Sequence, residues 1–259
     1  MKLRTIISKA VKIYLAAYVA GWLAVAADQA MLGQRKLEEN ESKIAFQVRK
    51  YELKIDDKPE YLTLIGEVHS YTKAESEIAQ KLVSEHSFYA NECGNPPNMS
   101  TVSTGNKVYL DACSYPLIFY FLFNHAGSGR TYDSMDEIAV KKGKVVYPLE
   151  DNNAAMNCMS NKERTACLLS YWADALKGPL AYYQAKQKES YDLESVNKWV
   201  NTLPYKSGLV YKRDILMAEG IIDLLRRPGT DTLLASVGLA HLQGVEKYLT
   251  EHANAKRIE

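Results

Sequence analysis

Tyr61-Leu62-Thr63-Leu64-Ile65-Gly66-Glu67-Val68-His69 and Leu233-Leu234-Ala235-Ser236-Val237-Gly238-Leu239-Ala240-His241 are two copies of one pattern. Each is an apolar, strand-like run that stops at Gly-x-x-His. Each then passes into a segment with apolar residues at helical spacing, Ser70 to Ser84 after the first copy and Leu242 to Glu251 after the second. The two glycines are 172 residues apart (238 minus 66), far beyond the reach of a local metal motif, so the imidazoles meet only if the fold lays the two strands side by side. A buried strand that feeds a helix is the unit of a parallel sheet, and ligands of such sheets sit beyond the carboxyl ends of the strands. The expected fold is therefore α/β: a single domain with a central, mostly parallel or mixed sheet flanked by helices, with His69 and His241 on one rim.

A plainer reading exists for each copy alone. A glycine at a strand-to-helix turn often serves only to adopt positive φ, and a histidine there caps or packs. The repetition argues against it, because two of only five histidines hold equivalent places in two copies of one unit.

Acidic residues fall in the same kind of place. The run Ser87 to Ala90 ends at Asn91-Glu92-Cys93-Gly94, and Lys144 to Leu149 ends at Glu150-Asp151. If these are parallel neighbours, Glu67, Glu92 and Glu150 join the two histidines at one edge. Carboxylates and imidazoles together suit a divalent ion that takes N and O ligands, Mn, Zn, Co or Fe, with His69, His241, Glu67 and Glu150 as candidate ligands. The competing role for each Glu is a helix N-terminal charge favoured by the helix dipole.

Residues Gly208 to Arg227 read as a helix that ends at Pro228-Gly229. On it Arg213 and Met217 share a face. An Arg beside Met either snorkels along the surface or reaches a buried anion, for which Glu67, Glu150 and a substrate carboxylate are the candidates.

In their order along the chain, Leu64 to His69, Lys212-Arg213-Asp214-Ile215-Leu216-Met217-Ala218-Glu219 and Val237 to His241 resemble the superfamily that joins Tiki/TraB-type proteins, ChaN-like haem-associated proteins and the erythromycin esterases. The Gly-Glu-x-His form is more similar to the ChaN and esterase branches. The likeness spans about residues 61 to 252 through short, scattered motifs. It implies a fold like that of ChaN and the erythromycin esterases, in which both Gly-x-x-His motifs and an Arg on an intervening helix line one site. Leu242-Gln243-Gly244 after the second motif is family-like, whereas no further His follows His69 as in many ChaN-like members, which disfavours haem.

At 259 residues and 47% hydrophobic, the chain buries a sizeable core without needing disulfides. A net charge of +1, with no basic stripe carrying interleaved aromatics, excludes nucleic acid as an expected partner. At the N-terminus, Lys2, Arg4, Lys9 and Lys12 precede an uncharged run from Ile13 to Ala27 with Ala24-Val25-Ala26 near its end. This reads as a signal peptide over 1–26, or as an uncleaved signal anchor giving membrane association through residues 5–27. The run is short against the roughly 20 residues that a transmembrane helix needs. The expected location is secreted or periplasmic, or membrane-anchored with the domain outside the cytoplasm.

Residues 27–60 read as a variable segment, the core as 61–252 beginning at Tyr61, and about 155–205 as a helical insertion. Pro116 to Phe123 reads as a buried helix or pocket wall, and Asn124 to Asp133 as a rim loop. Cys93, Cys113, Cys158 and Cys167 are either bridges, most locally 93 with 113 and 158 with 167, or small buried apolar residues.

The expected function is an exported, metal-dependent hydrolase that cleaves a peptide or ester bond in a peptide or small-molecule substrate. Its catalytic residues would be Glu67, His69, Arg213 and His241, with Arg213 stabilising the oxyanion or gripping a substrate carboxylate. In a metal-free variant His69 is the general base, Glu67 orients it and His241 aids the leaving group. The alternatives are a non-catalytic metal- or haem-binding module and a protein that sequesters a peptide signal.

Overall fold

A computed structural model describes residues 9, 11–24, 44, 46–67, 72–92, 106, 109, 132–151, 153–177, 180, 193–230 and 232–259. Strand β1 (Gln47–Ile55), strand β2 (Lys58–Glu67) and helix α2 (Lys73–Glu85) follow the helix α1 at 11–24. Next come β3 (Phe88–Asn91), α3 (Met135–Lys141), β4 (Val146–Pro148), α4 (Ala154–Cys158), α5 (Asn161–Lys177) and α6 (Leu193–Thr202). A π-helical turn, Ser207–Tyr211, leads into α7 (Lys212–Leu225), then β5 (Thr232–Gly238), α8 (Leu242–His252) and β6 (Lys256–Arg257).

The strands form one mixed sheet in the order β4-β3-β5-β2-β1-β6. The two Gly-x-x-His strands are parallel neighbours: Gly66 pairs with Val237 and Glu67 with Gly238. β3 is parallel to both β5 and β4, while β1 runs antiparallel to β2 and to β6.

Strand alternation divides the core into two layers. Leu62, Leu64, Leu233, Ala235 and Val237 pack with α7 and α8 residues Met217, Ile221, Leu242, Val245 and Leu249. Ile65, Tyr89, Val146 and Leu234 face Ala79, Leu82 and Val83 of α2 and Met135 and Ile138 of α3. The helix after β2 therefore covers one face and the helix after β5 the other. Neighbouring parallel strands whose helices leave to opposite faces open a crevice at their carboxyl ends, the place where α/β sheets bind ligands.

α2 begins with a full capping box, Thr72 accepting from the Glu75 amide and Glu75 accepting from the Thr72 amide. α8 is tied to β1 by its Glu246, which ion-pairs with Arg49 and accepts from the Tyr51 hydroxyl at 2.7 Å. Burial, with Glu246 beside it, pushes the Tyr51 phenol well above its ordinary pKa.

The sheet extends to the N-terminal side of Tyr61, which corrects the expectation that the core starts there. Arg49, Tyr51, Leu53 and Ile55 of β1 alternate inward, and the buried Arg hides the pattern from a hydropathy reading. A two-residue hairpin joins β1 to β2, with Asp56 at φ 48° and Asp57 at φ 65° between the pair Ile55 and Lys58. Two positive φ values mark a type I′ turn, whose twist matches that of the flanking strands.

The chain divides into two compact units, and the sheet with its core layers belongs to Glu41–Lys107, Thr131–Cys167 and Tyr191–Glu259. The other unit comprises Met1–Asn40, Val108–Arg130 and Leu168–Ser190. Within it the Tyr14 hydroxyl donates to the Leu176 carbonyl, and along α1 the Tyr14 and Tyr18 rings meet at a tilt and the Tyr18 and Trp22 rings edge to face. No described helix is long and apolar enough to cross a membrane. Cys158 and Cys167 are not joined by a disulfide, so the local bridge between them is not formed. Cys93, Cys113, the stretch 116–123 and all of the expected rim loop 124–133 except 132 and 133 lie outside the described residues.

An L-residue at positive φ is strained and glycine is not. Asp57→Gly should therefore stabilise the protein by about 0.5–1 kcal/mol. Only an exposed ion pair with Lys54 is given up. Urea unfolding midpoints of the two proteins check this, and a lower midpoint in the variant would reject the turn assignment.

Candidate active site

β3 and β4 stay paired past their ends, the Leu149 amide donating to the Asn91 carbonyl at 2.8 Å and the Glu150 amide to the Glu92 carbonyl at 3.1 Å. This sets Glu92 and Glu150 side by side at the carboxyl rim. From the opposite side the first turn of α7 brings Arg213. Its Nε donates to both Glu150 oxygens at 2.9 and 3.1 Å, and its NH2 donates to Glu92 Oε2 at 2.9 Å and also to Glu150. Glu92 Oε1 takes a further proton donor, the Gly238 backbone amide at 2.7 Å. Arg213 has thus tied β3, β4 and β5 together at their ends.

His241 caps α8 just after β5. Its Nδ1 lies 2.6 Å from Asp214 Oδ1, a donor-to-carboxylate bond, and its Nε2 lies 3.4 Å from Arg213 NH1. Arg213 and Asp214 are consecutive on α7 yet serve the two halves of the site. The π-helical turn immediately upstream belongs to a class of irregularity common at functional sites.

Both motif glycines have negative φ, so neither is required for a left-handed backbone. They are needed for close approach. A Cβ on Gly66 would lie 2.8 Å from a Leu242 methyl, and one on Gly238 would lie 3.1 Å from Glu92 Oε1.

Three carboxylates surround one guanidinium, and the buried surroundings sort their acidities. Burial works to raise Glu92, but the neighbouring charges of His241 and Arg213, with the Gly238 amide, hold it below the ordinary carboxyl range. For Glu150 burial wins over the Arg213 hydrogen bond, and its pKa is raised. Asp214 is likewise raised by burial against the pull of His241. Burial alone would lower Arg213, but Glu150 and Glu92 reverse this and it stays charged.

Of the residues expected in the site, the structure brings together Glu150, Arg213 and His241, and it adds Glu92. Glu67 is not among the partners of Arg213 or His241. Strand alternation sets it on the Ile65 side, facing α2. His69 lies outside the described residues. Asp214 is the functional candidate that the sequence reading passed over. An acid in the first turn of a helix looks like an ordinary dipole charge, and only its place next to Arg213 hinted at more.

The surroundings also decide between the readings of Arg213. It reaches a buried anion, Glu150, and does not snorkel. With two carboxylates already on it, it is poorly placed to grip a third, and a Lys in its place could not hold both, so Arg213→Lys is expected to weaken the fold as well as the site. Among the described residues no three His, Cys, Asp or Glu side chains converge as a metal-ligand set, and both Glu150 oxygens are engaged by Arg213.

Comparison of the chain with protein-family models, with curated proteins and with solved structures gives no match.

A carboxyl whose folded pKa lies below its unfolded value contributes stability above the unfolded pKa, near about 4.3, and loses it as pH falls through the folded value. Glu92 is such a group, whereas Glu150 and Asp214, raised on folding, contribute in the opposite sense. Glu92→Gln should flatten the acid limb of a plot of urea midpoint against pH, so that the variant loses less stability than the parent between about pH 5 and pH 3. Parallel acid limbs would show that Glu92 is not paired as described.

Proposed function

We propose that this protein is a hydrolase of ester or peptide carbonyls in which His241 is the general base, Asp214 orients it and Arg213 stabilises the developing oxyanion. One observation carries the reading: a carboxylate, an imidazole and a guanidinium nitrogen follow one another at 2.6 and 3.4 Å on the rim where the two Gly-x-x-His strands meet.

The chemistry follows from the hydrogen-bond directions. In its neutral form, with the Nδ1 proton donated to Asp214, His241 presents an unprotonated Nε2 that can take a proton from an attacking water. The imidazolium that forms sits beside Asp214 and Glu92, and the cluster holds three carboxylates against one guanidinium, so the new positive charge is stabilised where it arises. The same proton is then returned to the leaving oxygen or nitrogen. Arg213 NH1 makes only the long approach to His241, which leaves it free to donate to a carbonyl oxygen as charge builds there. Its other two nitrogens are fixed by Glu150 and Glu92, so the donor is oriented before substrate arrives.

A second reading keeps a divalent ion. A histidine that gives Nδ1–H to a carboxylate is also the usual form of a metal-bound histidine. In that case His241, with His69, would hold Mn, Zn, Co or Fe, and the ion would supply an activated water. Glu150, committed to Arg213, would not be a ligand. Non-catalytic metal or haem binding and capture of a peptide signal use the same rim without turnover. Export, or membrane association through residues 5–27, rests on the basic and apolar N-terminus alone.

A panel of model esters and short peptides, tested before and after exhaustive chelation, separates these readings. Full turnover after chelation, with kcat/KM lowered about 10²–10⁴-fold in His241→Gln, is the expected result. Loss on chelation with recovery on adding a divalent ion would replace it by the metal reading. No turnover of any substrate would favour the binding modules.

A further inference from the structure

Asp214 is held from two sides. Its Oδ1 meets His241, and its Oδ2 lies against the backbone of α8 at Gly244, so closely that a Cβ built on Gly244 would fall 1.8 Å from Oδ2 and 2.4 Å from Cγ. Asp214 and His241 are both nearly buried, and the carboxylate has no room to retreat without losing its imidazole. Gly244 is the third residue of α8. Glycine is a poor helix former, so a position there with no packing demand would gain from alanine. The close approach also sets the carboxylate beside the first turn of α8, where the helix dipole favours negative charge.

We infer that Gly244 is a positioning residue of the Asp214–His241 pair: the absence of a side chain at this point of α8 is what lets the carboxylate lie against the helix and take the Nδ1 proton. The inference rests on the proposed general-base role only for its catalytic consequence, since the fit itself can be measured without turnover. Any side chain at 244 pushes the Asp214 carboxylate away and frees the imidazole to rotate or change tautomer, while Arg213 keeps its partners Glu150 and Glu92. Residue 244 would then control the base without touching substrate.

The test has two arms. In thermal unfolding, Gly244→Ala should lower the midpoint of the full chain by about 5 °C, and the same change in an Asp214→Ala background should lower it little or raise it, because the clash is gone and the helix gains a better former. In ¹⁵N-histidine NMR, a His241 Nδ1–H signal protected from exchange is expected in the parent and should be lost both in Gly244→Ala and in Asp214→Asn. If the protein hydrolyses any substrate of the panel, Gly244→Ala should lower kcat with KM nearly unchanged. An equal loss of midpoint in both backgrounds, or an unchanged His241 signal in Gly244→Ala, overturns the inference. An enzyme-negative panel with both arms as expected would overturn the hydrolase reading and leave the positioning intact.

Discussion

The guanidinium of Arg213 is the interaction on which the rest of this site depends. It is buried, and its hydrogen bonds to Glu150 and Glu92 join α7 to the ends of β3 and β4, while Glu92 passes the connection on to the Gly238 amide of β5. Burying a guanidinium and two carboxylates is costly unless every partner is present. Remove the Arg and two carboxylates are left without a counter-charge in a low-dielectric rim. The arrangement is therefore all-or-none, which suits a site whose atoms must be held in place before a ligand arrives.

The sheet explains where this happens. β5 lies between β2 and β3, and the helices after β2 and β5 leave to opposite faces, so the crevice opens where both motif strands end. α8 then starts with His241 at its cap and is secured to β1 through Glu246, which meets Arg49 and Tyr51. The imidazole thus sits at the start of a helix whose next turn is held to β1. Asp214, from the first turn of α7, completes the pair without any loop residue.

The fold was largely legible because its decisive signal is periodic. Two apolar runs with the same ending predicted adjacent parallel strands, and β2 and β5 are paired residue by residue. For Arg213 the sequence left two readings open, a snorkelling side chain or one that reaches a buried anion, and the carboxylates of Glu150 and Glu92 decide for the second. What stayed hidden lacks periodicity. β1 carries a buried Arg in its inward row, strand alternation turns Glu67 toward the α2 face although it belongs to the motif, and Asp214 meets His241 across 27 residues through two helix starts. Pairings of that kind are set by packing, here by the absence of a side chain at Gly244, and no local pattern announces them.

The central claim is that Asp214 and His241 act as one unit in catalysis. A double-mutant cycle in kcat/KM on whichever ester or peptide is turned over, using Asp214→Asn, His241→Gln and the double variant, tests it most directly. Residues that act as a unit are not additive, so the double variant should be no slower than His241→Gln alone. Losses that multiply in the double variant would show two independent contributions and would contradict the account.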